Sequence, residues 1–543
     1  MNPSAPQICI VAASLSASPN DEGAGGHALQ LARLCLEHFG SLTVLYTGPR
    51  WDRQPGLEKS LTDAGARFVF LEDVPREPHE NDQWGIIDQS SAVCDFLKTE
   101  NHSHIVFQDQ RGPGFRAIQA RRIAGEFENS VLILCILAPS EYSLEKQEAW
   151  SRWPVVDALA GWCERYACEH ADFVAFAGTE VRDWVTGREW VVAPKAALMP
   201  VPSDSLEASR QKWIDLFSER PPAARLEKIR AEIAANPPLV SVIIPYFNYG
   251  KYLPTALASI AASTYPNFEV FVVDDASTDE FSRRIFREMR ELYDGPKYAF
   301  ISRRENGGVA AVRNHAAALA RGEYLVFFDS DNIADPGMLQ SFVEGIIHGG
   351  VDCCTCYYKT FSNTTISDPE TALAWVSTPI GAALEIGWME NVCGDANSIV
   401  RRDVFESIKG FRSECEPVED FDFFLRVCFA GRKVDVVPRF LFWYRDNHGG
   451  LRHNANRYKR YHTILSTYTS GLPAFHQRIF KQIAYPLARL AGYPPQRWRW
   501  HDLPSDRTGP KDISPARFAY SLLKQIEQYV RKRYFKRAKN QSD

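Results

Sequence analysis

Between Leu239 and Asn332, three short apolar runs each break into polar residues at their carboxyl ends: LVSVIIPYFN, FEVFVVDDAS and EYLVFFDSDN. The runs Val240–Pro245, Phe268–Val273 and Tyr324–Phe328 are too short for helices and too continuously apolar for strands with one wet face. Such runs suit a parallel sheet covered on both faces. Ligands of open α/β sheets bind beyond the carboxyl ends of the strands. Two of the three ends carry acids, Asp274-Asp275 and Asp329-Ser330-Asp331. The feature that limits the fold therefore also points to a site of converging carboxylates.

At 543 residues the chain exceeds the roughly 250–300 residues at which single cores stop growing, so more than one domain is expected. A formal net charge of -5 and a pI near 6.3 give no general pull toward nucleic acid. No export signal is expected, because Met1–Gln7 lacks basic residues. The apolar stretch Val131–Ala138 falls short of the roughly 20 residues that span a bilayer. The 12 cysteines are scattered mostly through apolar segments. Cys353-Cys354-Thr355-Cys356 holds one C-x-x-C without a second pair at zinc spacing, which reads as buried strand. Reduced thiols in a cytoplasm are the expectation.

The first part of the chain alternates strand and helix patterns. Strands are expected at Ile8–Ala12, Leu42–Tyr46, Phe68–Leu71, Ile105–Gln108, Val131–Leu137 and Phe173–Ala177, with helices at His27–Phe39 and Val155–His170. That alternation predicts a Rossmann-like, doubly wound sheet. Gly23-Ala24-Gly25-Gly26 suits either a tight turn or a close approach to phosphate or sugar. It is not the dinucleotide fingerprint. The opening strand, GAGGHALQLARL and ALAGWCERYACEHADFVAFAGTEV together resemble the amino-terminal half of family 4 glycosyltransferases of the GT-B fold, over roughly Ile8 to Pro202. That family holds its nucleotide-sugar mainly through a second Rossmann-like domain with paired glutamates, and here a different pattern begins near Pro237. Acceptor binding, assembly and a relic domain all fit. The expected organisation is a domain over 1–205, a charged helical linker over 206–237, a second domain over 238–470 and a tail over 471–543.

In the second domain, Pro245-Tyr246-Phe247-Asn248 turns the first strand into a loop ahead of a helix at Tyr252–Ala262. Asp329 and Asp331, two apart at a strand end, can reach one hard cation. Gly307 allows backbone near a ligand, and Arg313 suits either a donor phosphate or the protein surface. Glu419-Asp420 opens a helix whose apolar face is Phe421, Phe424, Leu425 and Cys428, which sets both acids in its first turn. A carboxylate there can take a proton from a hydroxyl, and equally can complement the helix dipole. Asn332 and Asp335 suit a turn and a helix cap.

VSVIIPYFNYGKYLPTALASIAASTYPNFEVFVVDDAST, ENGGVAAVRNHAAALARGEYLVFFDSDN and DANSIVRRDVFESIKGFRSECEPVEDFDFFLRVCFAGRKVDVVPRFLFWYR together resemble a family 2 glycosyltransferase of the GT-A fold, from Val240 to about Arg452. The resemblance implies a nucleotide-diphospho-sugar donor, a UDP-sugar first, bound by Pro245, Tyr246, Asn248, Asp274, Asp275, Gly307, Arg313, Asp329 and Ser330. Asp275 would fix the base. It implies Mg²⁺ or Mn²⁺ on Asp331, with Asp329 contacting the ribose or the metal's shell, and Asp420 as base with Glu419 assisting. The family often carries Tyr-Arg-x-His after the last strand, expected here over Val434–Leu441. This chain reads Tyr444-Arg445-Asp-Asn-His448, one residue longer, with His453 as the alternative metal ligand. Direct attack by an activated hydroxyl would invert the anomeric centre.

The tail predicts a helix over Ala516–Ala538 with a basic end, Arg531 to Lys539. Such a helix either lies on an anionic inner membrane face or packs on the protein. Membrane contact would suit a glycan or lipid-linked glycan acceptor in surface polysaccharide synthesis. Two other readings stay open: a scaffold of degenerate transferase folds, and a bifunctional enzyme with a second site in the first domain.

Overall fold

The computed structural model describes residues 6–16, 24–49, 54–74, 85–148, 154–200, 207–361, 373–387, 391–446 and 457–470. His448, His453 and the tail from 471 lie outside them. The chain divides into two compact units, one of residues 1–236 with the short pieces 347–350 and 375–377, the other of the remainder.

The first unit is built on seven strands: β1 (Ile8–Ala12), β2 (Leu42–Tyr46), β3 (Ala66–Phe70), β4 (His104–Gln108), β5 (Val131–Ile136), β6 (Phe173–Phe176) and β7 (Ala196–Leu198). Their order is β3-β2-β1-β4-β5-β6-β7, all parallel, so the order reverses between β1 and β4 as in a doubly wound sheet. Strand β7 has only three residues, none of them buried, so no apolar run announces it. The first helix starts at Ala24, one turn earlier than the pattern suggests. Gly25 and Gly26 therefore belong to its first turn, where a Cβ on Gly25 would sit 3.0 Å from the Ser16 nitrogen. That glycine lets helix and chain pack closely, and residues 17–23 of the expected turn are not described.

The segment expected as a charged helical linker over 206–237 is helical, and it also packs on the first unit's core. It forms helices Glu207–Phe217 and Leu226–Ala235. Trp213, Leu216 and Phe217 join the first unit's core with Leu31, Leu34 and Val44. The Trp213 indole N–H donates to the Pro200 carbonyl at 3.3 Å. The charged residues occupy the outer face only. Apolar residues at positions i, i+3 and i+4 make the stripe that docks.

The second sheet consists of β8 (Val240–Tyr246), β9 (Phe268–Asp274), β10 (Tyr298–Ser302), β11 (Tyr324–Phe327), β12 (Ile333–Ala334), β13 (Cys353–Phe361), β14 (Leu373–Ser377), β15 (Ile399–Arg401) and β16 (Val434–Arg445). The sheet order is β10-β9-β8-β11-β15-β13-β16-β12, with β14 beside β13. Strands β10, β9, β8 and β11 are parallel, β15 runs against both β11 and β13, and β13 is parallel to β16. This mixed α/β sheet agrees with the GT-A fold that the sequence resemblance implies. Val242, Ile243, Val270, Val272 and Leu325 are fully buried, as continuously apolar strands should be. The C-x-x-C segment is the buried strand β13. Strand β16 runs past Leu441 to Arg445, so Tyr444 and Arg445 pair with Thr360 and Phe361 instead of entering a loop. Because β15 alone is reversed among β11, β15, β13 and β16, one edge gathers the carboxyl ends of β8, β9, β11 and β16 and the amino end of β15. Among the described residues, no helix is long and apolar enough to cross a membrane.

Candidate active site

The turn after β9 is self-bracing. The Asp274 carboxylate accepts the Ser277 backbone N–H at 3.0 Å and the Ser277 hydroxyl, which makes it a turn support. Asn248, at φ 55°, accepts the backbone N–H groups of Thr278 and Asp279 and donates to the Thr278 hydroxyl at 2.9 Å. Tyr246, expected among the donor-binding groups, points elsewhere. It is 1% exposed, donates its hydroxyl to the Ser282 carbonyl at 2.8 Å and stacks on Phe286. Burial pushes its phenol up to about 12. Pro245 stays in β8, paired with Val273.

Asp275 collects a different set of donors. Its carboxylate accepts the backbone N–H of Gly307 at 3.0 Å and of Gly308 at 2.8 Å, together with the Arg303 guanidinium. Asn306 donates to its backbone carbonyl at 3.1 Å. Gly308 sits at φ +86°, and a Cβ there would lie 2.6 Å from the Glu416 carboxylate, so the position requires glycine. Glu416 accepts the Ala310 N–H at 2.9 Å, in the first turn of helix Val309–Leu319. Arg303 is absent from the sequence expectations. Its neighbour Arg304 and the exposed look of SRRENGG hide it.

Arg313 is neither on the surface nor open to a phosphate. It is 3% exposed and lies over the Phe411 ring, 5.3 Å from its centroid. One guanidinium nitrogen donates to Glu419 at 2.9 Å and another to Asp329 at 2.8 Å. Burial works against its charge, and the two carboxylates more than offset that, holding it protonated. One buried cation thus ties the acid turn after β11 to the helix Glu419–Phe429. Among the described residues its Nε–H has no hydrogen-bond partner.

The acid turn is clamped from both sides. The Asn397 side-chain oxygen accepts the Asp329 N–H at 2.9 Å. The Asn332 side chain accepts the Arg445 backbone N–H at 3.0 Å, while Arg445 donates to the Asp331 carbonyl at 3.0 Å. Ser330 is buried within the turn. Arg445 itself lies against the rings of Tyr252 and Phe361, 4.4 and 4.5 Å from their centroids.

Five carboxyl groups, those of Asp329, Asp331, Asp395, Glu419 and Asp420, then act on one another with Arg313 and Arg445 as the opposing cations. Burial, then the charge of Asp329, lifts Asp331 to about 7 against the pull of Arg445. Burial, followed by Glu419 and Asp395, lifts Asp420 to about 8, opposed by the Phe421 N–H and Arg313. Burial and Asp329 lift Asp395 to about 6. Tyr444 faces the same group, its phenol raised by burial, then by Asp395, Tyr358, Asp329 and Asp331. The sequence reading quoted Asp395 without a role. Carboxylates raised in this way are what a hard divalent cation would relieve, since it supplies the missing positive charge. Among the described residues no group of three or more His, Cys, Asp or Glu is set to close around a metal ion. A Mg²⁺-like ion needs only one or two carboxylates when a ligand's phosphate oxygens and water complete its shell, so Asp331 and Asp329 fit one.

The family comparison falls on the stretch that carries this site. Residues 241–409 match the family model described as Glycosyl transferase family 2. The chain is 30% identical over 214 residues to EpsH of Bacillus subtilis (strain 168), covering 38% of this chain and 61% of that protein. It is 29% identical over 126 residues to the glycosyltransferase GlyG of Streptococcus pneumoniae serotype 4, covering 23% of this chain and 41% of that one. The chain therefore spans less than two thirds of either relative. Among solved structures it is similar to TarS 1-349 of S. aureus in complex with UDP-GlcNAc, with 21% identity over 46% of this chain and 72% of that one and a TM-score of 0.36.

Proposed function

We propose that the second unit transfers a sugar from a nucleotide-diphosphate donor to a hydroxyl of a glycan or lipid-linked glycan acceptor, with inversion, in the synthesis of a surface polysaccharide. The observation that carries this reading is the Arg313 tie, which joins Asp329 to Glu419 on the sheet edge where Asp275 also ends. The family match over residues 241–409 supports it.

Asp275, already holding Gly307 and Gly308, is the group we assign to the nucleoside, with Arg303 turning outward to the base or phosphate as the donor enters. Asp331, with the Asp329 oxygen that Arg313 leaves free, would hold Mg²⁺ or Mn²⁺, which when bound neutralises the diphosphate leaving group. Asp420, with its carboxyl raised by burial, takes the acceptor proton, and Glu419 stays paired with Arg313. The first unit, read as family 4-like, is assigned to the acceptor.

Hydrolysis or transfer of UDP- and GDP-sugars by the full chain with Mg²⁺ or Mn²⁺ tests the reading. Asp331→Ala, through loss of a cation carboxylate, and Asp420→Asn, through loss of the general base, should each lower kcat by about a hundredfold or more. Wild-type protein that neither binds nor turns over any nucleotide-sugar, with both variants silent, ends the proposal.

A further inference from the structure

Because β15 is reversed, the residues that precede it arrive at the edge where neighbouring strands finish. Asp395 is among them. Asn397, 1% exposed, gives Asp395 Oδ1 two donors, its own backbone N–H at 2.9 Å and its side-chain amide. The side-chain oxygen of the same Asn397 accepts the Asp329 N–H. Asp395 is thereby fixed to the acid turn through one buried residue. Its second oxygen, Oδ2, makes no hydrogen bond among the described residues.

Asp395 feels the charges at both ends of the site. It is electrostatically coupled to Asp329 and Asp331 at the proposed cation end, and to Asp420 at the proposed base end. On the reading above, on which this inference rests, the group lying between diphosphate and base is the transferred sugar. A carboxylate only accepts hydrogen bonds, so what faces Oδ2 must donate one. A sugar hydroxyl does. A sugar carboxylate would set two like charges together in a poorly solvated space, which is costly. Raised to about 6 by burial and Asp329, Asp395 is still mostly ionised at pH 7.5.

We propose that Asp395 selects the donor sugar, with Oδ2 accepting a hydrogen bond from a free hydroxyl of a neutral sugar unit and its charge excluding hexuronic acid donors. Nothing is transferred to or from Asp395, which makes it a specificity residue.

The test uses the full chain with Mn²⁺ at pH 7.5. Turnover of UDP-glucose, UDP-N-acetylglucosamine and GDP-mannose is compared with that of UDP-glucuronate and GDP-mannuronate. Wild type should favour a neutral donor over the uronate of the same nucleotide by about tenfold or more in kcat/KM, the scale of one charged hydrogen bond. Asp395→Asn should lower kcat/KM for the neutral donor and narrow that ratio by about tenfold. Free UDP or GDP should bind the variant within about twofold of wild type by calorimetry, which also shows that the variant is folded. A wild-type preference for uronate, or a loss in Asp395→Asn that is equal for both donor classes, overturns the assignment while leaving the transferase reading intact. Wild type that binds no nucleotide-sugar at all sinks both. If the variant does not fold, the wild-type ratio alone decides.

Discussion

Arg313 is the residue on which the site's geometry turns, because it donates to carboxylates on two elements at once. Removing a buried partner of two charges leaves both uncompensated, which costs about 3–5 kcal/mol. Arg313→Met should therefore lower thermal stability and also move chemistry. Arg313 opposes the upward shift of Asp420, so its loss lets that carboxyl hold its proton to higher pH. The alkaline-going limb of the kcat/KM profile, expected near 8 from Asp420, should move upward in Arg313→Met and return toward wild type in Arg313→Lys. The sign follows from a base that works only when deprotonated. A limb that stays in place while stability falls would make Arg313 structural only. At this scale the sequence marks Asp275, Asp329 and Asp331 by their place after strand ends, as the strands observed have it. It could not reveal what holds them. Arg313 and Glu419 are 106 residues apart, and no local pattern links them. Tyr246 misled because a residue at a strand's end can face inward, and Ser282 supplied its hydroxyl with a partner.

Elements were legible wherever an apolar period ran unbroken, which is why β1, β2 and the three defining strands of the second unit fall within a residue or two of expectation. Over 206–237 the helices were legible and their docking was not. A helix whose outer face is crowded with charge looks unattached when the three residues that dock it are read singly. Trp213 is fully buried in the first unit's core, so Trp213→Ala should destabilise that unit by about 3–5 kcal/mol, as measured by denaturant unfolding. A free linker would show almost no change. Asp395 escaped notice for a related reason. The rule that ligands gather beyond carboxyl ends of strands passes over residues that come before a reversed one, and β15 is that strand.

For the whole molecule the open issue is whether two units mean two donor sites. Of the first unit's buried acids, Glu164 is held locally, one oxygen accepting the Arg111 N–H at 2.8 Å and the Ser140 hydroxyl at 2.6 Å, while Asp109 accepts the Ala138 N–H at 3.0 Å through Oδ2 and its Oδ1 has no partner among the described residues. We expect the full chain to bind one nucleoside diphosphate, and Asp275→Ala to abolish that binding in calorimetry. Residual stoichiometric binding in that variant would favour a second site. The Arg313 tie has a further consequence, in time instead of space. Contacts distant in sequence close late, because a long loop must be organised before they reward it. During synthesis Arg313 leaves the ribosome long before Glu419 exists, and Asp329 alone can meet it. The two halves of the site can be joined only once β15, β13 and the helix at Glu419 have come into place. Activity in this protein is therefore one of the last properties a maturing chain acquires, and a chain cut short before Glu419 would carry the acid turn without the base.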